Sequence, residues 1–170
     1  MDFRPFVLDV PDFPSPGILF RDVTPLLATP RAFSLAITAM AEPFQSEPPD
    51  KVLGIEARGF MFGAPLAREL GVGFVPARKP GKLPREARRV SYGLEYGKDH
   101  LEVHADAFLP GERVLIADDV LATGGTAAAA ASLAEGLGAR VIGLTFFIEL
   151  AALGGRTRLP EWPVHAVLVL

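Results

Sequence analysis

The stretch VLIADDVLATGGT at residues 114–126 constrains the fold of this chain more than any other part of the sequence. It begins with an apolar run, which is typical of a strand buried on both faces of a parallel sheet. Two adjacent carboxylates, Asp118 and Asp119, end the run, and a glycine-rich turn and an alanine-rich segment follow. Because alanine favours helix, the order strand, acids, turn, helix predicts an α/β fold with the acids at the carboxyl end of a parallel strand.

The turn has the composition of an anion site. Its residues are Ala122, Thr123, Gly124, Gly125 and Thr126. Glycines let backbone N–H groups close on a phosphate, and the start of the next helix adds partial positive charge. Since carboxylates repel phosphate, Asp118 and Asp119 are expected to accept hydrogen bonds from vicinal hydroxyls or to hold a hydrated Mg²⁺. A ribose 5-phosphate offers both groups, although an acid pair and a Gly-Gly turn also occur as purely structural features.

Two other phosphate-binding motifs are excluded at this turn. A P-loop requires a lysine after its last glycine, and here Thr126 follows instead. A dinucleotide fingerprint requires G-x-G-x-x-G after a strand, and the chain contains no such string.

Composition restricts the class of protein. A chain of 170 residues with 49% hydrophobic content is the size of one domain. The net charge of −3 gives no general reason to bind nucleic acid, and without cysteine neither a disulfide framework nor a thiolate metal site is possible. No signal peptide is recognisable, and the longest apolar stretch, VIGLTFFIEL, is too short to span a membrane. We therefore expect a cytoplasmic protein without membrane or nucleic-acid partners.

Hydrophobic periodicity predicts alternating strands and helices. Helices are expected at 29–44, 60–70 and 126–137, and strands at 51–55, 73–77, 113–118, 141–149 and 164–170. Gly71 and Gly138 follow two of these helices, as is usual at helix ends. The segment 95–105 alternates polar and apolar residues and is expected to form strands beside a mobile loop. Repeated units of this kind predict a doubly wound, mainly parallel sheet with helices on both faces.

The stretch at 114–126 resembles the phosphoribosyl pyrophosphate (PRPP) motif of the type I phosphoribosyltransferases. Four further segments are similar to the adenine-specific family: 16–25 (PGILFRDVTP), 54–64 (GIEARGFMFGA), 74–84 (FVPARKPGKLP) and 91–108 (SYGLEYGKDHLEVHADAF). The resemblance implies one domain over 1–170, with a base-binding hood at about 1–30 and a flexible lid loop at about 84–101. It also implies Mg²⁺-dependent transfer of the phosphoribosyl group from PRPP to adenine, which gives AMP and pyrophosphate through an oxocarbenium-like transition state.

The same resemblance assigns roles in the donor half of the site. Asp118 and Asp119 would grip the ribose hydroxyls and favour the cation, and they are the candidate protein ligands of a Mg²⁺ held mainly by PRPP and water. The turn at 122–126 would bind the 5′-phosphate. The pyrophosphate residues would be Glu56, Ala57, Arg58, Arg78, Lys79 and Lys82, with a cis peptide bond between Glu56 and Ala57. In this family Arg78 would reach the partner subunit's site, so a homodimer is expected.

The acceptor half falls near the N-terminus and in the lid. Phe20 would stack on adenine, and the backbone of Leu19 and Arg21 would pair with its Watson–Crick edge. Glu95 would contact the N7 atom of the base and assist proton movement, and Tyr96 would pack over the site. From the residues alone, each of these segments is also compatible with a purely structural role, as a core hairpin or a solvated loop. Transfer to a different base, or a non-enzymatic PRPP-sensing regulator, remains as an alternative function.

Overall fold

The computed structural model describes residues 1–94 and 97–170, and it describes the side chains outside 92–99. The strands and helices are β1 (Leu8–Pro11), β2 (Leu19–Asp22), α1 (Thr24–Leu27), α2 (Pro30–Ala41), β3 (Lys51–Ile55), α3 (Arg58–Leu70), β4 (Gly73–Ala77), β5 (Ala87–Leu94), β6 (Gly97–His104), β7 (Arg113–Leu121), α4 (Gly125–Gly136), β8 (Arg140–Glu149) and β9 (Val164–Val169).

The central sheet has five strands in the order β4-β3-β7-β8-β9, and every neighbouring pair is parallel. One face packs against α2 and α3 through a cluster that includes Phe62 and Phe147. The other face packs against α4 and the β5–β6 hairpin through a cluster that includes Ile116 and Leu101. The predicted doubly wound sheet with helices on both faces is confirmed.

The strand order creates a crevice at the carboxyl ends of β3 and β7. From β3 the chain moves outward to β4 on one side, and it later returns to form β7 on the other side of β3. In open α/β sheets a crevice forms at such a reversal, outside the carboxyl ends of the strands. The loops that follow β3 and β7 therefore open onto the same crevice.

Two predicted ends were wrong by three residues, and others differ by one or two, as at α3, which begins at Arg58 rather than at Phe60. The helix predicted at 29–44 ends at Ala41 and continues as the 3-10 helix Glu42–Phe44, because Pro43 has no N–H to donate to the helix. The strand predicted at 113–118 extends to Leu121, since β8 continues to pair with it there. Both acids consequently lie within β7, whereas the predicted strand ended at Asp118.

Much of the segment predicted as a lid loop at 84–101 is an antiparallel hairpin of β5 and β6. Val90 packs against the α4 side of the core, and Leu101 and Val103 are fully buried there. This burial explains why the segment forms strands. The predicted lid residues Glu95 and Tyr96 lie outside the described residues.

The N-terminal strands β1 and β2 pair in a separate antiparallel hairpin. Their loop contains Phe13, whose ring meets that of Phe20 edge-on at 5.1 Å. No helix in the described ranges 1–94 and 97–170 combines the length and the apolar character needed to cross a bilayer.

Candidate active site

A cavity of about 460 Å³ lies at the carboxyl ends of β3 and β7. The sequence-predicted residues that line it are Glu56, Ala57, Arg58, Lys79, Asp118, Asp119, Ala122, Thr123, Gly124, Gly125 and Thr126. The structure thus collects residues from three separate segments of the chain at the crevice that the strand order creates.

The acid pair lies in this cavity, with Asp119 buried and Asp118 partly buried. The backbone N–H of Asp119 donates to Asp118 Oδ1 at 2.9 Å, and Asp119 is only 3% exposed. Burial raises the pKa of Asp118 well above its ordinary range, and the neighbouring Asp119 charge adds to this. Burial also raises the pKa of Asp119, but Arg58 opposes the rise.

Arg58 connects the acid pair to the N-terminal hairpin. Its Nε lies 2.6 Å from Asp119 Oδ2, and its guanidinium carbon lies 4.7 Å from the centroid of the Phe20 ring. The contact with Asp119 is a close ion pair, yet Oδ2 accepts no hydrogen bond from the described residues. Arg58 therefore contacts both a buried acid and an aromatic ring that lie far apart in the sequence.

Gly59 allows the start of α3 to approach β7 closely. A Cβ atom at this position would lie 2.7 Å from Asp118 Oδ1 and 3.0 Å from the Ala117 carbonyl oxygen. Both distances are shorter than ordinary contacts. The glycine of the EARG string thus brings Arg58, the first residue of α3, beside the acid pair.

The turn after β7 has the geometry of an anion site. Gly124 has a φ of 80° and is the N-cap residue of α4, which begins at Gly125. The first N–H groups of an α-helix have no partners within the helix, and they carry the positive end of its dipole. Because Gly124 and Gly125 are backbone without side chains, an anion can approach these N–H groups directly.

The basic segment after β4 is attached to the loop after β3 through Glu56. The Glu56–Ala57 peptide bond is cis. Glu56 Oε2 accepts hydrogen bonds from Arg78 Nε at 3.1 Å and from the backbone N–H of Lys79 at 2.6 Å. The bond from Arg78 is the largest cause that lowers the pKa of Glu56. Arg78 thus pairs with an acid of its own chain, and its predicted reach into a partner's site stays a prediction.

Some predicted residues lie away from the cavity. Lys82 is exposed and does not line it. Leu19 is exposed on β2, and the Arg21 side chain pairs with Asp9 of β1. These positions leave the β2 backbone, rather than these two side chains, as the group that could meet a base.

Sequence reasoning missed the apolar lining of the cavity: Ile55, Val120, Leu121, Ala127 and Phe146. Phe146 lies opposite Asp118 in the register of β7 and β8. The signal was available, because a strand predicted to follow β7 in a parallel sheet places its own apolar residues beside the acids.

A larger groove of about 1020 Å³ lies at the other end of the sheet. It is bordered by the first residues of β7, β8 and β9, including Arg113 and Arg140, and by Trp162. Acidic side chains such as Glu135 and Glu161 alternate with these cations, so the groove has no consistent charge. The acid pair and the glycine-rich turn instead mark the smaller cavity as the reactive one.

Comparison with known proteins identifies the family. The model of the phosphoribosyl transferase domain family matches residues 22–162. An adenine phosphoribosyltransferase of Carboxydothermus hydrogenoformans is 58% identical over 159 residues, which cover 94% of each chain. This chain belongs to the adenine phosphoribosyltransferase family.

Solved structures of the adenine phosphoribosyltransferase family have the same fold. The enzyme of Thermoanaerobacter pseudethanolicus superimposes with a TM-score of 0.96 at 48% identity, covering 99% of this chain and 98% of its own. The Saccharomyces cerevisiae adenine phosphoribosyltransferase, solved with adenine and an imino-altritol bisphosphate, gives 0.91 at 43% identity and covers 97% and 96%. The type I phosphoribosyltransferase fold that the sequence predicted is therefore confirmed.

Proposed function

We propose that this protein transfers the phosphoribosyl group of PRPP to adenine, which yields AMP and pyrophosphate, in the cavity between β3 and β7. The observation that carries the proposal is the Asp118–Asp119 pair, of which Asp119 is buried, beside both an anion-binding turn and Arg58. Family membership supplies the reaction. The arrangement of the site residues supports the roles that the following paragraphs assign to them.

The acids and the turn suit the two ends of a ribose 5-phosphate. In this assignment, residues 122–126 bind the 5′-phosphate through N–H groups at the start of α4. Asp118 and Asp119 accept hydrogen bonds from the ribose hydroxyls. As the bond at C1 breaks, the ribose becomes cationic, and the two preorganised carboxylates stabilise that charge in a site screened from water.

The opposite charge develops on pyrophosphate, and cations must meet it. Arg58 begins α3 directly after the cis peptide, and Lys79 lines the same cavity. We assign both to the leaving group, together with the backbone of Glu56 and Ala57. The Glu56 carboxylate does not serve the leaving group directly. It holds Lys79 in place by accepting a hydrogen bond from the Lys79 backbone N–H. Lys82 would need to move inward from its exposed position to take part.

The cavity fits a Mg²⁺ ion that is carried mainly by PRPP and water. Within the residues that the structure describes, no three His, Cys, Asp or Glu side chains are grouped to hold a metal ion. Asp119 Oδ2 pairs with Arg58 but accepts no hydrogen bond from the described residues, so this buried oxygen can also meet a donor such as a ribose hydroxyl or a metal-bound water. Bound with PRPP, Mg²⁺ supplies charge neutralisation at the pyrophosphate oxygens.

The N-terminal hairpin would select the base. We assign stacking to Phe20 and the Watson–Crick contacts to the backbone of Leu19 and Arg21. Adjacent N–H and C=O groups match the N1 acceptor and the N6 donor of adenine, whereas a 6-oxopurine would leave buried groups unpaired. Glu95 and Tyr96, which lie outside the described residues, keep their proposed roles at N7 and over the site.

An assay of base choice tests this function. With PRPP and Mg²⁺, we expect adenine to give its nucleotide with kcat/KM higher than that of hypoxanthine or guanine by roughly 10⁴-fold, because mismatched buried hydrogen-bonding groups are rejected strongly. Absorbance distinguishes the products. Preference for a 6-oxopurine would contradict the assignment of the β2 backbone. Tight PRPP binding without turnover of any base would instead support the regulator.

A homodimer with shared sites is proposed from the predicted reach of Arg78, and mixed dimers can test it. If Arg78 serves the partner's site, a dimer of one Asp119→Asn chain and one Arg78→Ala chain contains one site with both residues intact. We then expect mixing two inactive variants to restore up to about half of the wild-type turnover per dimer, since one of two symmetric sites is complete. Each variant mixed with itself is the control.

The structure makes this experiment discriminating, because Arg78 also holds Glu56 of its own chain. The alternative is that Arg78 acts only through this contact within its own chain. One chain of the mixed dimer then lacks Asp119 and the other lacks the Arg78–Glu56 contact, so neither site is complete and no activity returns. Sedimentation of the wild type should show a dimer. An active monomer would contradict the shared site.

Two further assignments complete the proposal. The N-terminal hairpin and short helices within about 1–30 form the base-binding hood, and the β5–β6 hairpin within about 84–101 closes the site, both as parts of one domain over 1–170. We also propose that the protein carries out this salvage reaction in the cytoplasm.

A further inference from the structure

The outer side of the anion-binding turn rests on a short helix near the C-terminus. This helix, Gly155–Arg158, is here called the buttress turn. Gly155 is buried although the residues on both sides of it are exposed. A Cβ atom on Gly155 would collide with the carbonyl oxygen of Ala122 and would lie 2.9 Å from Leu121 Cγ. The buttress turn therefore touches the last residue of β7 and the first residue of the anion-binding turn.

The contact is reciprocal. A Cβ atom on Gly124 would collide with the carbonyl oxygen of Gly155 and would lie 3.3 Å from the Arg158 Cβ. Gly124 has a positive φ, which alone favours glycine, but Gly155 is not among the residues with positive φ. Glycine is thus required at 155 by the close approach of two backbones and not by its own conformation.

An ion pair fixes the buttress turn to the central sheet. Arg156 Nε donates to Glu149 Oε1 at 2.8 Å, and its Nη2 donates to Oε2 at 2.7 Å. Its Nη1 donates to the carbonyl oxygen of Val164 at 2.7 Å. Glu149 ends β8 and is 7% exposed, and Val164 begins β9. Two neighbouring strands therefore hold one guanidinium, and its planar fork sets the position of Gly155 next to it.

We propose that Gly155 and the Glu149–Arg156 pair are positioning residues that set the conformation of the 5′-phosphate turn. None of these three residues lines the cavity. The sheet holds Arg156, Arg156 places Gly155, and Gly155 presses against Ala122, so the N–H groups of residues 122–126 point at one fixed location. The inference rests on the proposed function, since it assumes that this turn receives the phosphate of PRPP.

Gly155→Ala is the direct test. The added methyl group must push Ala122 away from the buttress turn by on the order of 1 Å, and a displacement of that size can cost up to about 10²-fold in catalysis. We expect kcat/KM for PRPP to fall by about 10- to 100-fold, mainly through KM, while KM for adenine changes by less than about twofold. Calorimetry with ribose 5-phosphate should show a parallel loss of affinity.

Two other glycines serve as matched controls. Gly154→Ala strains a residue with a φ of 62°, yet its Cβ would meet nothing within 4 Å. Gly136→Ala lies at the end of α4 and also meets nothing. Both variants should keep the wild-type affinity for ribose 5-phosphate. Loss of that affinity in Gly154→Ala equal to the loss in Gly155→Ala would overturn the steric argument.

Arg156 variants cover the case in which Gly155→Ala does not fold. Arg156→Ala should weaken ribose 5-phosphate binding, and Arg156→Lys should restore only part of it, because lysine cannot hold Glu149 with two parallel bonds. Wild-type affinity in Arg156→Ala, or an equal rise of both KM values in either variant, would overturn the proposal. If the wild type binds ribose 5-phosphate but makes no AMP, the proposed function fails separately, and the binding comparison still stands.

Discussion

Replacing Asp118 or Asp119 with Asn should lower turnover by about 10²–10³-fold, because each change removes one preorganised charge from the position where the ribose becomes cationic. The amide keeps the shape of the side chain, and in Asp118→Asn the amide oxygen can still accept the backbone N–H that Asp118 Oδ1 accepts from Asp119. Binding should therefore suffer less than the chemical step. Steady-state formation of AMP measures the effect.

The Asp118→Asn variant should also be more stable than the wild type when no ligand is bound. Burial raises the pKa of Asp118 in the folded state, so ionisation of this group opposes folding as the pH rises above its unfolded pKa of about 3.9. An amide carries no such penalty. We expect a higher Tm at about pH 8, and a difference that shrinks as the pH falls toward the ordinary range of an aspartate.

Asp106→Asn is the matched control for the acid pair. Asp106 follows β6, is 66% exposed, and pairs with Arg85 at the surface. Its replacement should leave turnover unchanged and should not raise the Tm. Near-wild-type turnover in an Asp118→Asn, Asp119→Asn double variant would contradict the catalytic assignment. A lower Tm of Asp118→Asn at about pH 8 would contradict the role of burial.

Replacing Arg58 with Ala should reduce kcat/KM for PRPP by about 10²–10³-fold, because Arg58 is assigned to the charge that grows on pyrophosphate. The same change removes the cation that lies 2.6 Å from Asp119 Oδ2. Arg58 now opposes the rise in the pKa of Asp119, so its loss should raise that pKa further. The acid limb of the pH profile of kcat/KM should then move to higher pH.

Two variants separate charge from geometry at this position. Arg58→Lys keeps the positive charge without the planar guanidinium. We therefore expect it to be more active than Arg58→Ala, and its acid limb to lie close to that of the wild type. Arg68→Ala removes an exposed arginine in the last turn of the same helix and should change neither quantity. An unshifted acid limb in Arg58→Ala would show that Arg58 does not lower the pKa of Asp119.

The buried parallel strands were the easiest part of the structure to predict. β3 and β4 have the predicted bounds, because strands covered on both faces appear as apolar runs between turn residues. β7 was predicted too short, since its last residues are strand only because β8 pairs with them. Local composition carries no information on a partner strand that far along the chain.

The candidate site shows the same division between local and long-range information. The cavity around residues 122–126 was predictable, because the strand, turn and helix that form it are contiguous. The pairing of Arg78 with Glu56 and the contact of Gly155 with Ala122 were not, since each joins segments whose proximity only the folded sheet creates. The Gly154–Gly155 pair indicates a turn in the sequence, but nothing in it indicates that Gly155 will meet Ala122.

The strand order β4-β3-β7-β8-β9 also determines when a newly synthesised chain can contain a binding site. β3 emerges early, but its neighbour β7 follows only after β4, β5 and β6. Until then one edge of β3 has no partner, and the fully buried Val52 and Leu53 lack part of their packing. Contacts of such long sequence separation form slowly, and exposed edges favour aggregation in the meantime. During synthesis there is therefore an interval in which the loop after β3, with Arg58, has been made but Asp118 and Asp119 have not.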